Sequence, residues 1–138
     1  MDAVVERNPA PGAMSDRPLV AVVDDSESIL ESLPALLKRV GFSVQAFASA
    51  EAFLASAAVD TASCLILDVK MPHMSGLDLQ RELMRRGTPV PTVFITGQAD
   101  ERVLSRLVAT GAVACLVKPF SDTALLEAVD AALDRRSG

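Results

Sequence analysis

The stretch Leu65–Gly76, LILDVKMPHMSG, decides how the chain is read. Three apolar residues, Leu65, Ile66 and Leu67, run straight into one carboxylate, Asp68, and the chain then turns through Pro72 and Gly76. A short apolar run bounded by turn residues is the pattern of a buried strand. Similar runs recur along the chain, with segments of helical spacing between them. The expected elements are β1 19–23, α1 26–40, β2 43–47, α2 50–57, β3 63–67, α3 76–86, β4 92–95, α4 99–110, β5 113–117 and α5 122–135. Strands alternating with helices imply an α/β fold, a parallel sheet covered on both faces.

Local signals support these boundaries. Ser26, Ser49 and Ser121 stand where N-caps belong. Gly41 and Gly111 stand where left-handed C-terminal caps belong. In α1, Ile29, Leu30, Leu33, Leu36, Leu37 and Val40 make one apolar stripe. Pro34 falls inside that stripe and is expected to kink the helix or displace its start.

The bulk numbers narrow the function. A length of 138 residues fits one domain, expected over 18–138 after a polar, Pro-rich and mobile tail, 1–17. That tail has no apolar core and is not a signal peptide. A net charge of −5 argues against direct binding of nucleic acid, which wants clustered Lys and Arg. No apolar stretch reaches the roughly 18 residues needed to span a bilayer. Cys64 and Cys115 lie in apolar runs and read as buried, reduced thiols of a cytoplasmic protein. His73, the single histidine, sits in the loop after Asp68, so the chain is not itself a histidine phosphocarrier. Met71, Met74 and Met84 read as packing residues. Arg81, Arg85 and Arg86 read as a solvated face of α3.

Four of the five strands finish in a functional group: Asp24–Asp25 after β1, Asp68 after β3, Thr96 after β4 and Lys118 after β5. In an open α/β sheet the ligand crevice lies at the carboxyl ends of the strands. If β1 and β3 are neighbours, about 4.8 Å apart, three carboxylates crowd together. Each pair repels by roughly 3 kcal/mol at 5 Å and an effective dielectric of 20. A divalent cation offsets that repulsion, and hard oxygen ligands suit Mg²⁺. With Lys118 and the Thr96 hydroxyl added, the set suits a dianionic phosphoryl group. Asp68 is the single acid at the end of the central run and is assigned as the nucleophile that accepts the phosphoryl group. The Asp24–Asp25 pair suits the metal and its bound water.

The segments VVDD, LILDVKMPHMSGLDL, FITG and LVKPF, in this order and spacing, resemble the receiver domain of two-component response regulators. The resemblance covers roughly Leu19 to Arg136, and VQAFASAEAFL is similar to the nitrogen-fixation class of regulators. It implies a flavodoxin-like, doubly wound sheet in the order 2-1-3-4-5. Asp68 would take its phosphoryl group from a histidine kinase or phosphotransfer protein. Asp25 would ligate Mg²⁺ directly and Asp24 through water, with Asp68 and the backbone carbonyl of Lys70 as further ligands. Thr96 and Lys118 would contact the phosphoryl oxygens, and Lys118–Pro119 would be a cis peptide. Phosphorylation would draw Thr96 inward and reshape the α4–β5–α5 face, changing partner binding or dimerisation. In α4, Val103, Leu104, Leu107 and Val108 are apolar; some of them must face the core, and the rest are candidates for such contacts.

The chain also departs from the family. The aromatic usually found three residues before the lysine is Cys115 here, which puts aromatic switching in doubt. Lys70, two residues after the acceptor, brings a charge that would alter acyl-phosphate lifetime. No helix-turn-helix motif follows α5, so the output is expected from a partner protein or from a domain outside this chain. Two other readings stand beside this one. A haloacid-dehalogenase-type phosphatase would need a second acid where Lys70 stands. A receiver that no longer takes phosphate would serve as a constitutive docking domain. A dinucleotide site lacks its glycine-rich loop after β1.

Overall fold

The computed structural model describes residues 17–97 and 101–137. The expected tail, 1–17, lies outside the described residues except for Arg17, as do the first two expected residues of α4, 99 and 100. The strands are β1 Leu19–Val23, β2 Ser43–Phe47, β3 Cys64–Asp68, β4 Thr92–Thr96 and β5 Ala114–Val117. They form one parallel sheet in the order β2-β1-β3-β4-β5. The helices are α1 Glu27–Arg39, α2 Ala50–Leu54, α3 Gly76–Arg86, α4 Glu101–Ala109 and α5 Asp122–Ser137, with one further helical turn at Ala58–Thr61.

Alternation along the strands divides the core in two. Val20, Val22, Cys64, Ile66, Val93 and Ile95 point to one face, where α1 brings Leu33, Leu36 and Leu37 and α5 brings Leu125, Ala128, Val129 and Ala132. Ala21, Val23, Leu65, Leu67 and Phe94 point to the other, against Phe53 of α2, Leu79 and Leu83 of α3 and Leu107 of α4. β1, β3 and β4 are therefore buried on both sides, which is why they read as unbroken apolar runs. β2 and β5 are edges and only partly covered. Phe47 of β2 meets Phe53 edge to face, with ring centroids 5.5 Å apart.

Several sequence expectations are corrected. α1 begins at Glu27 and runs through Pro34, so the proline does not displace its start. Leu33, Leu36 and Leu37 are buried around Pro34, and that packing outweighs the roughly 3 kcal/mol that an interior proline costs. Val40, the last residue of the predicted stripe, is half exposed. α2 stops at Leu54 instead of 57. Ser56 explains the break: its hydroxyl donates to the Phe53 carbonyl at 2.7 Å and accepts from the Ala58 N–H at 3.2 Å, closing one helix and opening the next turn. Of the expected N-caps, Ser49 and Ser121 accept from the N–H groups of Ala52 and Ala124, whereas Ser26 makes no side-chain cap bond. Gly41 and Gly111 have φ of 105° and 85°, the left-handed conformation their positions after α1 and α4 require.

Candidate functional site

β1 and β3 pair directly, Val23 opposite Leu67, so the residues that follow in each strand leave the sheet side by side. One ligand oxygen from each of Asp24, Asp25 and Asp68 lies within 4.8 Å of the others. Asp24 has no solvent exposure and Asp68 only 6%, while Asp25 forms the exposed rim. The loop between β1 and α1 is fixed by Asp24 itself: the Ser26 N–H donates to its Oδ1 at 2.8 Å, and the Asp24 N–H donates to the Phe47 carbonyl.

Asp68 and Thr96 are strand residues, one position beyond the expected strand ends. Asp68 pairs with Ile95, and the Val69 N–H continues the ladder to the Ile95 carbonyl. Thr96 pairs with Val117, and the Lys118 N–H donates to the Thr96 carbonyl at 2.8 Å. That bond carries Lys118 to the site, where its Nζ stands 3.4 Å from Asp24 Oδ2 and 3.8 Å from Asp68 Oδ1. The Lys118–Pro119 peptide is cis. Thr96 is buried at 3% exposure.

The charges set the protonation of Asp68. Burial and the neighbouring Asp24 push its carboxyl up to about 6, with Asp25 adding to the rise and Lys118 opposing it. Three carboxylates against one ammonium leave two negative charges when all are ionised. That deficit and the all-oxygen donor set fit a hard divalent cation.

Not every candidate joins the cluster. The Lys70 side chain is exposed, and its part in the site would be through its main chain. Cys115 pairs with Phe94 on the α2–α4 face of the sheet and is half-buried there. Burial raises its thiol pKa, and raises that of Cys64 to about 12. His73 is exposed and takes a left-handed backbone, φ 68°. Sequence reading missed how the loop after Asp68 is anchored. Ser75 and Asp78 form a reciprocal capping box at the start of α3, and the Gly76 N–H donates back to the Val69 carbonyl at 3.0 Å. The Ser-x-x-Asp spacing was the available signal.

Residues 20–130 match the family model of the response regulator receiver domain. The chain belongs to that family. It is 43% identical over 121 residues to the response regulator protein TodT of Pseudomonas putida, covering 87% of this chain and 53% of that protein. It is 46% identical over 121 residues to nodulation protein W of Bradyrhizobium diazoefficiens, covering 88% of this chain and 53% of that protein. This receiver thus spans about half the length of these relatives. Among solved structures, the crystal structure of FixJ-N superimposes with a TM-score of 0.76 at 37% identity, over 85% of this chain and 94% of that one. The strand order is that of the flavodoxin-like receivers, and the likeness to FixJ-N agrees with the nitrogen-fixation-like subclass. Among the described residues no helix is long and apolar enough to cross a membrane.

Proposed function

We propose that Asp68 is the phosphoacceptor of this receiver and that its phosphorylation switches partner binding. The observation that carries the reading is the meeting of Asp24, Asp25, Asp68 and Lys118 from three separate segments at one sheet edge. An Asp68 carboxylate oxygen attacks the phosphorus of a phosphohistidine on a kinase or phosphotransfer protein. The phosphorus–nitrogen bond breaks, an acyl phosphate forms, and the imidazole leaves with a proton from solvent. Because Asp68 titrates near 6, it is the ionised nucleophile at pH 7 and above. Lys118 and Thr96 bind phosphoryl oxygens and hold the group in line. Asp25 and Asp68 would hold Mg²⁺ directly, Asp24 through water, with the Lys70 carbonyl completing the protein ligands; the ion would neutralise charge on carboxylates and phosphate.

Next to Lys118 lies a groove of about 540 Å³, lined by Ile29 and Leu33 of α1 and by Pro119 and Phe120. With Ser32, Lys118 and Asp122 also on its wall, it gives a phosphohistidine-bearing partner a mixed polar and apolar seat beside Lys118. The signal leaves through α4, β5 and α5, where β5 is half-buried along its whole length and Val108 is 68% exposed. An output domain, a separate partner or a second copy would read that face. The two free thiols accord with a reducing, cytoplasmic setting. The domain is a substrate of its kinase and catalyses only its own phosphorylation and dephosphorylation.

The test is intact-mass measurement after incubation with acetyl phosphate, with and without Mg²⁺. The expected result is an adduct of about 80 Da that needs Mg²⁺ and is absent from Asp68→Asn. No adduct, together with no binding of beryllofluoride, would overturn the proposal in favour of phosphorylation-independent docking.

A further inference from the structure

Gly76 is the first residue of α3 and is fully buried. Its backbone lies in the ordinary right-handed range, so conformational freedom does not explain a glycine there. Space does. A Cβ on Gly76 would overlap the backbone oxygen of Asp68, and would stand 3.1 Å from the Asp68 carbonyl carbon and 3.2 Å from Leu67 Cγ. The Gly76 N–H meanwhile donates to the Val69 carbonyl at 3.0 Å. The start of α3 therefore rests on two successive peptide units, those that join Asp68 to Lys70. The Ser75–Asp78 capping box holds that start rigid.

We infer that Gly76 is a positioning residue for phosphotransfer: it lets α3 seat directly on the main chain between the acceptor and the Lys70 carbonyl, and so fixes both. The inference rests on the phosphoacceptor reading of Asp68. It extends that reading to a residue with no side chain, which acts only through close backbone approach. Any β-carbon at 76 must be cleared by a shift of about 1 Å in Asp68 or in the helix, since carbon needs roughly 3.5 Å to its neighbours. Misplacement of a reacting group by 1 Å costs up to about 100-fold in rate.

The experiment compares wild type, Gly76→Ala and Leu83→Ala. Leu83 is buried near the far end of the same helix, away from the contact of Gly76 with the Asp68 main chain, so its truncation is the control for lost stability. Phosphorylation by acetyl phosphate is followed by intact mass well below each variant's thermal midpoint, and Mg²⁺ affinity is measured separately by calorimetry. Gly76→Ala is expected to phosphorylate about 10- to 100-fold more slowly at saturating acetyl phosphate and to bind Mg²⁺ more weakly. Leu83→Ala should lose thermal midpoint but keep the wild-type rate and affinity. A Gly76→Ala protein within twofold of wild type in both rate and affinity overturns the inference, and so does equal loss in Leu83→Ala. If Gly76→Ala does not fold, Mg²⁺ is titrated into ¹⁵N-labelled wild type. The Gly76 amide, bonded to the Val69 carbonyl, must then shift with the same Kd as Lys70, and an unmoved Gly76 amide refutes the coupling. A wild type that takes no phosphoryl group refutes the phosphoacceptor reading instead, so the two failures are distinguishable.

Discussion

Burying Asp68 beside Asp24 makes the metal-free domain less stable at neutral pH than in mild acid. The carboxyl titrates near 6 in the folded chain against an ordinary 3.8. A raised carboxylate pKa means that the folded state binds a proton before the unfolded state does. As pH falls from above 6 toward 4, the folded state therefore gains stability; as pH rises again, that stability is lost. The full difference is about 3 kcal/mol as a ceiling, and the part gained between pH 7.5 and pH 5 is about 1.4 kcal/mol. On a domain of this size that is about 5 °C in thermal midpoint. The chain has no Trp or Tyr, so unfolding is followed by far-ultraviolet circular dichroism in a chelating buffer. Asp68→Asn lacks the titrating group. It should be more stable than wild type at pH 7.5, by about 1–3 kcal/mol, and should not gain the wild-type increment on going to pH 5. The exposed His73 is present in both proteins and cancels in the comparison. Millimolar Mg²⁺ should remove the wild-type gain, because it favours the ionised form. A wild-type midpoint that rises from pH 5 to 7.5, or an Asp68→Asn midpoint that tracks wild type at every pH, would show that the three acids impose no such electrostatic load.

Lys118→Met removes the ammonium 3.4 Å from Asp24 and 3.8 Å from Asp68, so metal-free stability should fall by about 1–3 kcal/mol, less than for a fully buried pair. Mg²⁺ should restore more stability to this variant than to wild type, as read by the shift in urea midpoint; equal shifts would mean that Lys118 does not share the acidic site. The two thiols should separate by accessibility. Cys64, fully buried and with its pKa near 12, should resist Ellman's reagent at pH 8 until the chain unfolds, whereas Cys115 should react slowly in the native state. Equal rates for both would contradict the packing of β3.

The order of strands and helices was legible because β1, β3 and β4 are covered on both faces and must be apolar throughout. The strand ends were misplaced for a related reason. Polarity marks where burial by helices stops, but hydrogen bonding continues: Val69 and Lys118 extend the ladder past Asp68 and Thr96. The sequence predicts a longer α2 because Ser56 fits a helical pattern; its hydroxyl instead satisfies Phe53 and Ala58 and ends the helix. Of the two effects expected of Pro34, a displaced start is not seen, since local propensity is a weak prior beside the burial of Leu33, Leu36 and Leu37. The acids of the site and Lys118 could be read because each follows an apolar run. Gly76 could not, because its function is the absence of a side chain, visible only when Asp68 is placed beneath it.

The question raised by LILDVKMPHMSG is why a buried strand should run up to an acid. Folding alone gives no reason. An asparagine at 68 would fit the same ladder and relieve the repulsion from Asp24 and Asp25. What the asparagine lacks is a nucleophilic oxygen. The strand therefore spends rigidity on holding a destabilising charge: β4 bonds the peptide beyond it, Lys118 partly neutralises it, and α3 seats on its carbonyl through Gly76. A carboxylate so held is poised for a divalent cation, whose charge would offset the repulsion from Asp24 and Asp25. On the phosphoacceptor reading, phosphorylation would add negative charge at this site, so the charge balance would differ between the free and phosphorylated forms, and a switch between two conformations can be driven only by such a difference.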